Sequence, residues 1–233
     1  MHVVITGASK GFGKEIAIKF AAAGATLYLC SRTEAALKET SSLIQKEFPR
    51  CKVHYKPADL SKKSGVRELG QWITAITPAV DILVNNAGQF LPGSVYDEPD
   101  GTLEQMIDVN LYSAYHLTRI LLPGMMKKKQ GHIFNICSIA SFQAYDNGGA
   151  YSISKFALAG FSKNLREEMK PHNIKVTAVY PGAAYTDSWA ASGVDPQRLM
   201  EAADIAAMIY ASSQLSTRAC VEDIILRPQA GDL

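Results

Sequence analysis

Short apolar runs alternate with longer amphipathic ones along the whole chain. The runs VVIT (3–6), TLYLCS (26–31), KVHYKP (52–57), DILVNN (81–86), HIFNICS (132–138), KVTAVYP (175–181) and VEDIILRP (221–228) are rich in Val, Ile, Leu and Tyr. Several are apolar on both faces, which predicts strands of a parallel sheet covered on both sides. Between them, the segments 12–23, 34–48, 62–76, 102–129, 151–170 and 203–213 have helical length and periodicity. Alternation of this kind predicts a doubly wound α/β fold, a seven-stranded parallel sheet with helices on both faces. No shift in composition marks a boundary, so residues 1–233 read as a single domain.

Composition narrows the classes. A net charge of +2 on 233 residues is too small to call for a nucleic acid or a membrane surface. Lys127, Lys128 and Lys129 form the one cationic cluster, and they fall where a helix ends, where cations complement its dipole. The first apolar run starts at residue 2 without a charged leader, and no run has the length of a membrane span. Cys30, Cys51, Cys137 and Cys220 show no CxxC spacing and the histidines no HxxH pair. Reduced thiols, no metal and a cytoplasmic location are therefore expected.

The first strand runs straight into TGASKGFG (6–13) and a helix follows. Gly7 permits the turn out of the strand. Gly11 and Gly13 let the backbone approach a ligand and the helix pack close to the sheet. The helix N-terminus then presents unpaired N–H groups to a pyrophosphate, the arrangement of a Rossmann fold. Strand two ends in Ser31 and Arg32, where folds of this kind that select NAD usually carry an acid. A guanidinium here clamps a 2′-phosphate, and Lys10 in the turn adds a second cation. Both positions point to NADP(H) in preference to NAD(H). In YSISK (151–155), Tyr151 and Lys155 stand at i and i+4 of a helix and share one face.

TGASKGFG, NNAG (85–88) and YSISK in this order resemble the short-chain dehydrogenase/reductase family, in its compact single-domain branch. Ser138 lies thirteen residues before Tyr151, as that family's pattern requires, and Asn110 in DVNLYSAY matches its helix-borne asparagine. The resemblance implies a catalytic set of Asn110, Ser138, Tyr151 and Lys155. An ordinary tyrosine titrates near 10. A neighbouring cation lowers that value, and reaching 7 needs about 4 kcal/mol, expected from Lys155 together with the oxidised nicotinamide. Tyr151 then gives a proton to a carbonyl oxygen as hydride arrives, or takes one from an alcohol. Ser138 holds the same oxygen, Lys155 binds the nicotinamide ribose, and Asn110 holds a relay water.

Further cofactor positions are implied residue by residue. Ser9 and Phe12 complete the glycine turn. Asp59, with Leu60 beside it, matches the acid on the adenine amino group, and a turn or cap residue is the alternative. Asn86 ties neighbouring strands, while Ala87 and Gly88 pass under the adenosine ribose. In PGAAYT (181–186), Pro181 and Gly182 turn the chain, and the Ala184 backbone and Thr186 hydroxyl hold the carboxamide.

A short substrate lid is expected at about 187–202, with Trp189 as its large aromatic, either covering substrate or anchoring the lid. Gln89, Phe90, Gln143, Ala144, Tyr145 and Tyr180, together with Ser138, are the other pocket residues. With no arginine or lysine among them, a mid-sized neutral ketone or aldehyde is the expected substrate. In the family this chain resembles, a glycine-rich tail after the last strand often builds a tetramer interface, whereas LRPQAGDL stands here, with Pro228 to stop ladder pairing. A homodimer through the 102–129 and 151–170 helices is therefore expected by analogy, with a homotetramer as the alternative. The reading is an NADP(H)-dependent oxidoreductase interconverting a carbonyl and an alcohol. Two alternatives stay open, a 3-oxoacyl thioester reductase served by a carrier protein and a non-catalytic dinucleotide sensor.

Overall fold

All seven apolar runs form strands: β1 (His2–Thr6), β2 (Thr26–Ser31), β3 (Val53–Pro57), β4 (Ile82–Asn85), β5 (Gly131–Ile136), β6 (Ile174–Pro181) and β7 (Asp223–Leu226). The computed structural model describes residues 1–186 and 193–231. The strands make one parallel sheet in the order β3-β2-β1-β4-β5-β6-β7. Among the described residues, seven α-helices connect them: α1 (Gly11–Ala22), α2 (Glu34–Glu47), α3 (Lys63–Ile76), α4 (Thr102–Ile107), α5 (Ser113–Lys128), α6 (Gly149–Met169) and α7 (Ala202–Ser213).

The period of two along each strand sends neighbouring side chains to opposite faces. Val3 and Ile5 pack with Ile16 and Phe20 of α1, Leu37 and Ile44 of α2, and Ile205 and Ile209 of α7. Val4, between them, packs with Leu69 and Ile73 of α3, Leu117 and Leu121 of α5, and Leu165 of α6. Phe20 is fully buried, which contributes about 2–3 kcal/mol. These two cores explain why the strands are apolar on both faces.

β1 pairs with β2 on one side and β4 on the other, Val3 facing both Leu27 and Ile82. The chain moves outward from β1 to β3, then returns to place β4 against β1. The connections leaving β1 and β4 therefore diverge to opposite faces, which opens a crevice at the carboxyl ends of these two strands.

Two expectations are adjusted. The helix expected over 102–129 is interrupted by a π-helical turn, Asp108–Tyr112. Its wider ladder, with bonds to i+5, re-aims the side chains that follow, and Asn110 sits inside it. β7 is shorter than its apolar run and ends two residues before Pro228, which has no N–H to offer. Of the expected lid, the described part includes a 3₁₀ turn at Pro196–Arg198, capped by Asp195 through the Gln197 N–H at 3.0 Å. Trp189 lies outside the described residues. No helix among the described residues is long and apolar enough to cross a membrane.

Candidate active site

The glycine turn fills the crevice at the end of β1. Gly7 and Gly11 both have positive φ, 64° and 52°, which glycine adopts without strain. Gly13 is constrained differently, because a Cβ there would lie 2.2 Å from the Gly7 carbonyl oxygen. That approach seats the first turn of α1 directly on the turn. No acid stands in that first turn, so the positive end of the helix dipole is left for an anion. Lys10 is the N-cap residue, in extended backbone conformation. The Ser9 carbonyl accepts from the Thr40 hydroxyl at 3.3 Å, and Phe12 packs on the α1-side core.

The turn after β4 is tied to the turn after β1. Asn86 Nδ2 donates to the carbonyls of Thr6 (2.9 Å) and Gly7 (3.1 Å). Thr6 Oγ1 accepts from the N–H groups of Asn86 (3.0 Å) and Ala87 (2.9 Å). Beneath them runs a buried polar layer that the sequence reading missed. Asn85 Nδ2 donates to Asn135 Oδ1 (2.8 Å) and Thr118 Oγ1 (3.0 Å), and Asn135 Nδ2 donates to Ser162 Oγ (2.8 Å). It links β4, β5, α5 and α6 at the level of the site. Asn85 and Asn135 face each other in register at the ends of apolar strands, and two such polar strand ends were the available signal.

The four residues expected to be catalytic come together above this layer. Tyr151 and Lys155 are one turn apart near the start of α6, with Lys155 Nζ 5.8 Å from the Tyr151 ring centroid. Lys155 is buried, and its Nζ donates to the Ile136 carbonyl at 2.8 Å. Gly88 leaves room beside it, since a Cβ there would meet Asn110 Oδ1 at 3.2 Å and Lys155 Nζ at 3.5 Å. Asn110 is buried and bonded on every side. Its Oδ1 accepts from the Gln89 N–H (2.8 Å), and its Nδ2 donates to the Gln89 carbonyl (3.0 Å) and to Ser154 Oγ (2.9 Å). Ser138 ends the β5 connection as the N-cap of a 3₁₀ turn, its Oγ accepting from the Ala140 N–H at 3.1 Å.

Burial pushes the Tyr151 phenol up to about 12, the Ser138 hydrogen bond pulls it down, and Tyr145 and Cys137 push it up further. The Lys155 ammonium donates to the Ile136 carbonyl and stands 5.8 Å from the ring centroid. Burial pushes Lys155 itself down to about 8, against a small opposing pull from Cys137. In the free chain the phenol is therefore protonated, the form that donates.

The outer positions fall on two sides. Arg32 is exposed at the end of β2, and its charge is among the influences that hold the Asp59 carboxyl low, after the Ser61 hydrogen bond. Asp59 Oδ1 is occupied by its own turn, accepting from the Ser61 N–H (3.1 Å) and hydroxyl (2.7 Å). Ser31 donates to the Thr33 carbonyl at 3.4 Å. Leu60 is buried in the α3-side core. On the other side, Pro181 closes β6, and Gly182 packs under Pro228, whose Cδ would be 3.1 Å from an added Cβ. Ala184 bridges Met200 in parallel, and the Thr186 side chain lies 3.4 Å from where a Gly11 Cβ would be.

Around the opening, Phe90 meets Tyr151 edge-on with centroids 4.9 Å apart. Gln143, Ala144 and Tyr145 are exposed, and Tyr180 is buried against Phe142. An arginine does reach this rim, contrary to expectation. Arg227 Nη2 donates to Gln143 Oε1 at 2.9 Å, and the guanidinium lies over the Phe142 ring. It comes from the chain after β7, 84 residues from Gln143, where only the parallel placement of β7 against β6 brings it near. Among the described residues, no three His, Cys, Asp or Glu side chains gather as metal ligands do.

Residues 1–196 match the model of the short chain dehydrogenase family. The chain is 35% identical to sepiapterin reductase of Chlorobaculum tepidum, over 99% of this chain and 97% of that protein. It is 39% identical to dehydrogenase/reductase SDR family member 7B of Xenopus tropicalis, over 79% of this chain and 61% of that protein. L-sorbose reductase from Gluconobacter frateurii, solved with NADPH and L-sorbose, superposes with a TM-score of 0.90 at 26% identity, over 97% of this chain and 95% of that one. A metagenomic short-chain oxidoreductase solved with NADP superposes at 0.86 and 28% identity, over 98% and 97%. A family match across 196 of 233 residues, carried on the same seven-stranded frame, means that this chain belongs to the short-chain dehydrogenase family of oxidoreductases.

Proposed function

We propose that the chain interconverts a carbonyl and an alcohol with NADP(H), using Tyr151 as general acid and base. The observation that carries this reading is the convergence of Tyr151, Ser138, Lys155 and Asn110 opposite the glycine turn. A dinucleotide fits the residues present. Gly13 can carry no Cβ, Gly11 and Thr186 face each other, and the first turn of α1 is free of acids. Gly7, Gly11 and Gly13 would hold the pyrophosphate, Arg32 and Lys10 the 2′-phosphate, and Ala184 and Thr186 the carboxamide. The bound cofactor supplies or accepts the hydride. That two structural relatives were solved with NADP or NADPH supports the choice of NADP(H).

Each residue of the set has a task that follows from its surroundings. Tyr151, kept protonated by burial, gives its proton to the carbonyl oxygen as the carbon is reduced. Ser138 donates to the same oxygen and holds it within reach of the phenol. Lys155 keeps a cation beside the phenolate left behind and offers donors to a ribose hydroxyl. Asn110 anchors Gln89, and with it the edge of the pocket. A complete set of this kind favours an enzyme over a non-catalytic sensor. Arg227 beside Gln143 adds donors to the rim, which suits a substrate carrying a second acceptor group rather than a plain ketone. By analogy the chain forms a homodimer through α5 and α6, whose exposed Ile153 and Phe156 would be covered.

The test is NADPH consumption over a panel of aldehydes, ketones, diketones, sugars and acetoacetyl thioesters. NADH is run beside it and Tyr151→Phe serves as the blank. Turnover with NADPH that disappears in the variant is expected. Full activity in Tyr151→Phe, or no binding of either cofactor, overturns the reading.

A further inference from the structure

The connection 89–101 contains no helix or strand, yet it is fastened to the catalytic helix at both ends. At its start, Gln89 is held by both polar atoms of Asn110, whose Nδ2 also reaches Ser154 of α6. Phe90 follows, edge-on to Tyr151. Farther along, the Gly93 N–H donates to the Asn147 carbonyl (3.1 Å), and Ser94 Oγ donates to Asn147 Oδ1 (3.1 Å). Finally Glu98 Oε2 accepts from the N–H of Ala150 at 3.1 Å.

Ala150 immediately precedes Tyr151. Its N–H is among the four at the start of α6 that the helix itself leaves unbonded. The residue at the N-cap position is Gly148, which has no side chain to cap with. Glu98 supplies that cap from 52 residues away, and its negative charge also complements the helix dipole. The fit is close. A Cβ on Gly149 would lie 2.6 Å from Glu98 Oε2 and 2.4 Å from the Gly93 carbonyl oxygen, and a Cβ on Gly93 would lie 3.0 Å from Glu98 Cβ. Two glycines thus let the strap and the helix end meet.

We propose that Glu98 is a positioning residue for the reaction: by capping α6 at Ala150 it holds Tyr151 and the Phe90 wall of the substrate pocket in register. Without it the first turn of α6, which carries Tyr151, frays, and the strap swings away from the ring. The effect falls mainly on the carbonyl substrate, because the pyrophosphate turn lies at the end of β1 and Lys155, the ribose donor, lies one turn further into α6 than Tyr151. The inference rests on the reading of Tyr151 as the proton donor.

The test compares Glu98→Ala, Glu98→Gln and Ser94→Ala, using the carbonyl turned over fastest in the panel above. Glu98→Ala is expected to lower kcat/KM for the carbonyl by about tenfold, the loss of one charged helix cap, while the dissociation constant for NADPH stays within about twofold. Glu98→Gln retains an oxygen acceptor and should recover most of the loss. Ser94→Ala, which loosens the strap at Asn147, should fall between them and keeps the test alive if Glu98→Ala does not fold. Hydrogen–deuterium exchange on the cofactor-free protein should rise over 89–101 and the first turn of α6 and nowhere else. Unchanged kinetics in a folded Glu98→Ala overturn the proposal, even if exchange rises, because the cap is then only structural. Loss of NADPH affinity in parallel with activity also overturns it. An active Tyr151→Phe would instead sink the reading beneath it, whatever Glu98 does.

Discussion

Replacing Lys155 with methionine should make the cofactor-free protein more stable while abolishing turnover. Lys155 is buried, and burial lowers its pKa from 10.5 to about 8. That gap corresponds to about 3 kcal/mol of destabilisation from holding the ammonium out of water. Methionine has similar length and no charge, so the penalty vanishes. The cost is the hydrogen bond from Nζ to the Ile136 carbonyl, about 1–2 kcal/mol for a buried acceptor left unpaired. The net gain is about 1–2 kcal/mol at pH 7, a rise in Tm of roughly 2–8 °C for a domain of this size.

The sign can be checked by pH. Below about pH 8 both folded and unfolded chains keep the Lys155 proton, so the penalty is fully present and constant. Between about 8 and 10.5 the unfolded chain binds more protons at this group than the folded chain does, so wild-type stability rises relative to the variant. Above 10.5 the penalty is gone and the wild type becomes the more stable of the two. Urea unfolding of both proteins from pH 7 to 10.5 measures this, with other groups cancelling in the difference. A variant that is less stable at pH 7, or a difference independent of pH, refutes the reasoning.

Three further outcomes are expected. Gly13→Ala places a Cβ 2.2 Å from the Gly7 carbonyl oxygen and should cost about 3 kcal/mol in urea unfolding, with loss of NADPH binding by fluorescence titration. Arg32→Ala should weaken NADPH by about tenfold to a hundredfold and leave NADH unchanged, as expected from losing a charged hydrogen bond to a phosphate; equal loss for both would remove the 2′-phosphate role. Asn110→Leu strips the Gln89 N–H and carbonyl of their partners. It should cost about 2–3 kcal/mol in stability and reduce kcat.

Much of the site was legible because its parts are local. The glycine spacing in 6–13 is a property of one turn, and the Tyr151–Lys155 pairing is a property of one helical repeat. Even Arg32 follows from its place at the end of one strand. Burial raises the Tyr151 pKa in the free chain, whereas the lowering expected from Lys155 together with the oxidised nicotinamide concerns the loaded site.

The sequence by itself determined the strands, the helices and the two turns of the cofactor crevice, because backbone periods of two and 3.6 and the conformational freedom of glycine act within a few residues. Only the tertiary structure decided which distant groups meet. Glu98 caps α6 across 52 residues, and Arg227 reaches Gln143 across 84. Asn85 meets Asn135 only because β4 and β5 pair in that register. Such contacts are set by how the crossovers stack helices on a twisted sheet, and no local pattern along the chain encodes that distance.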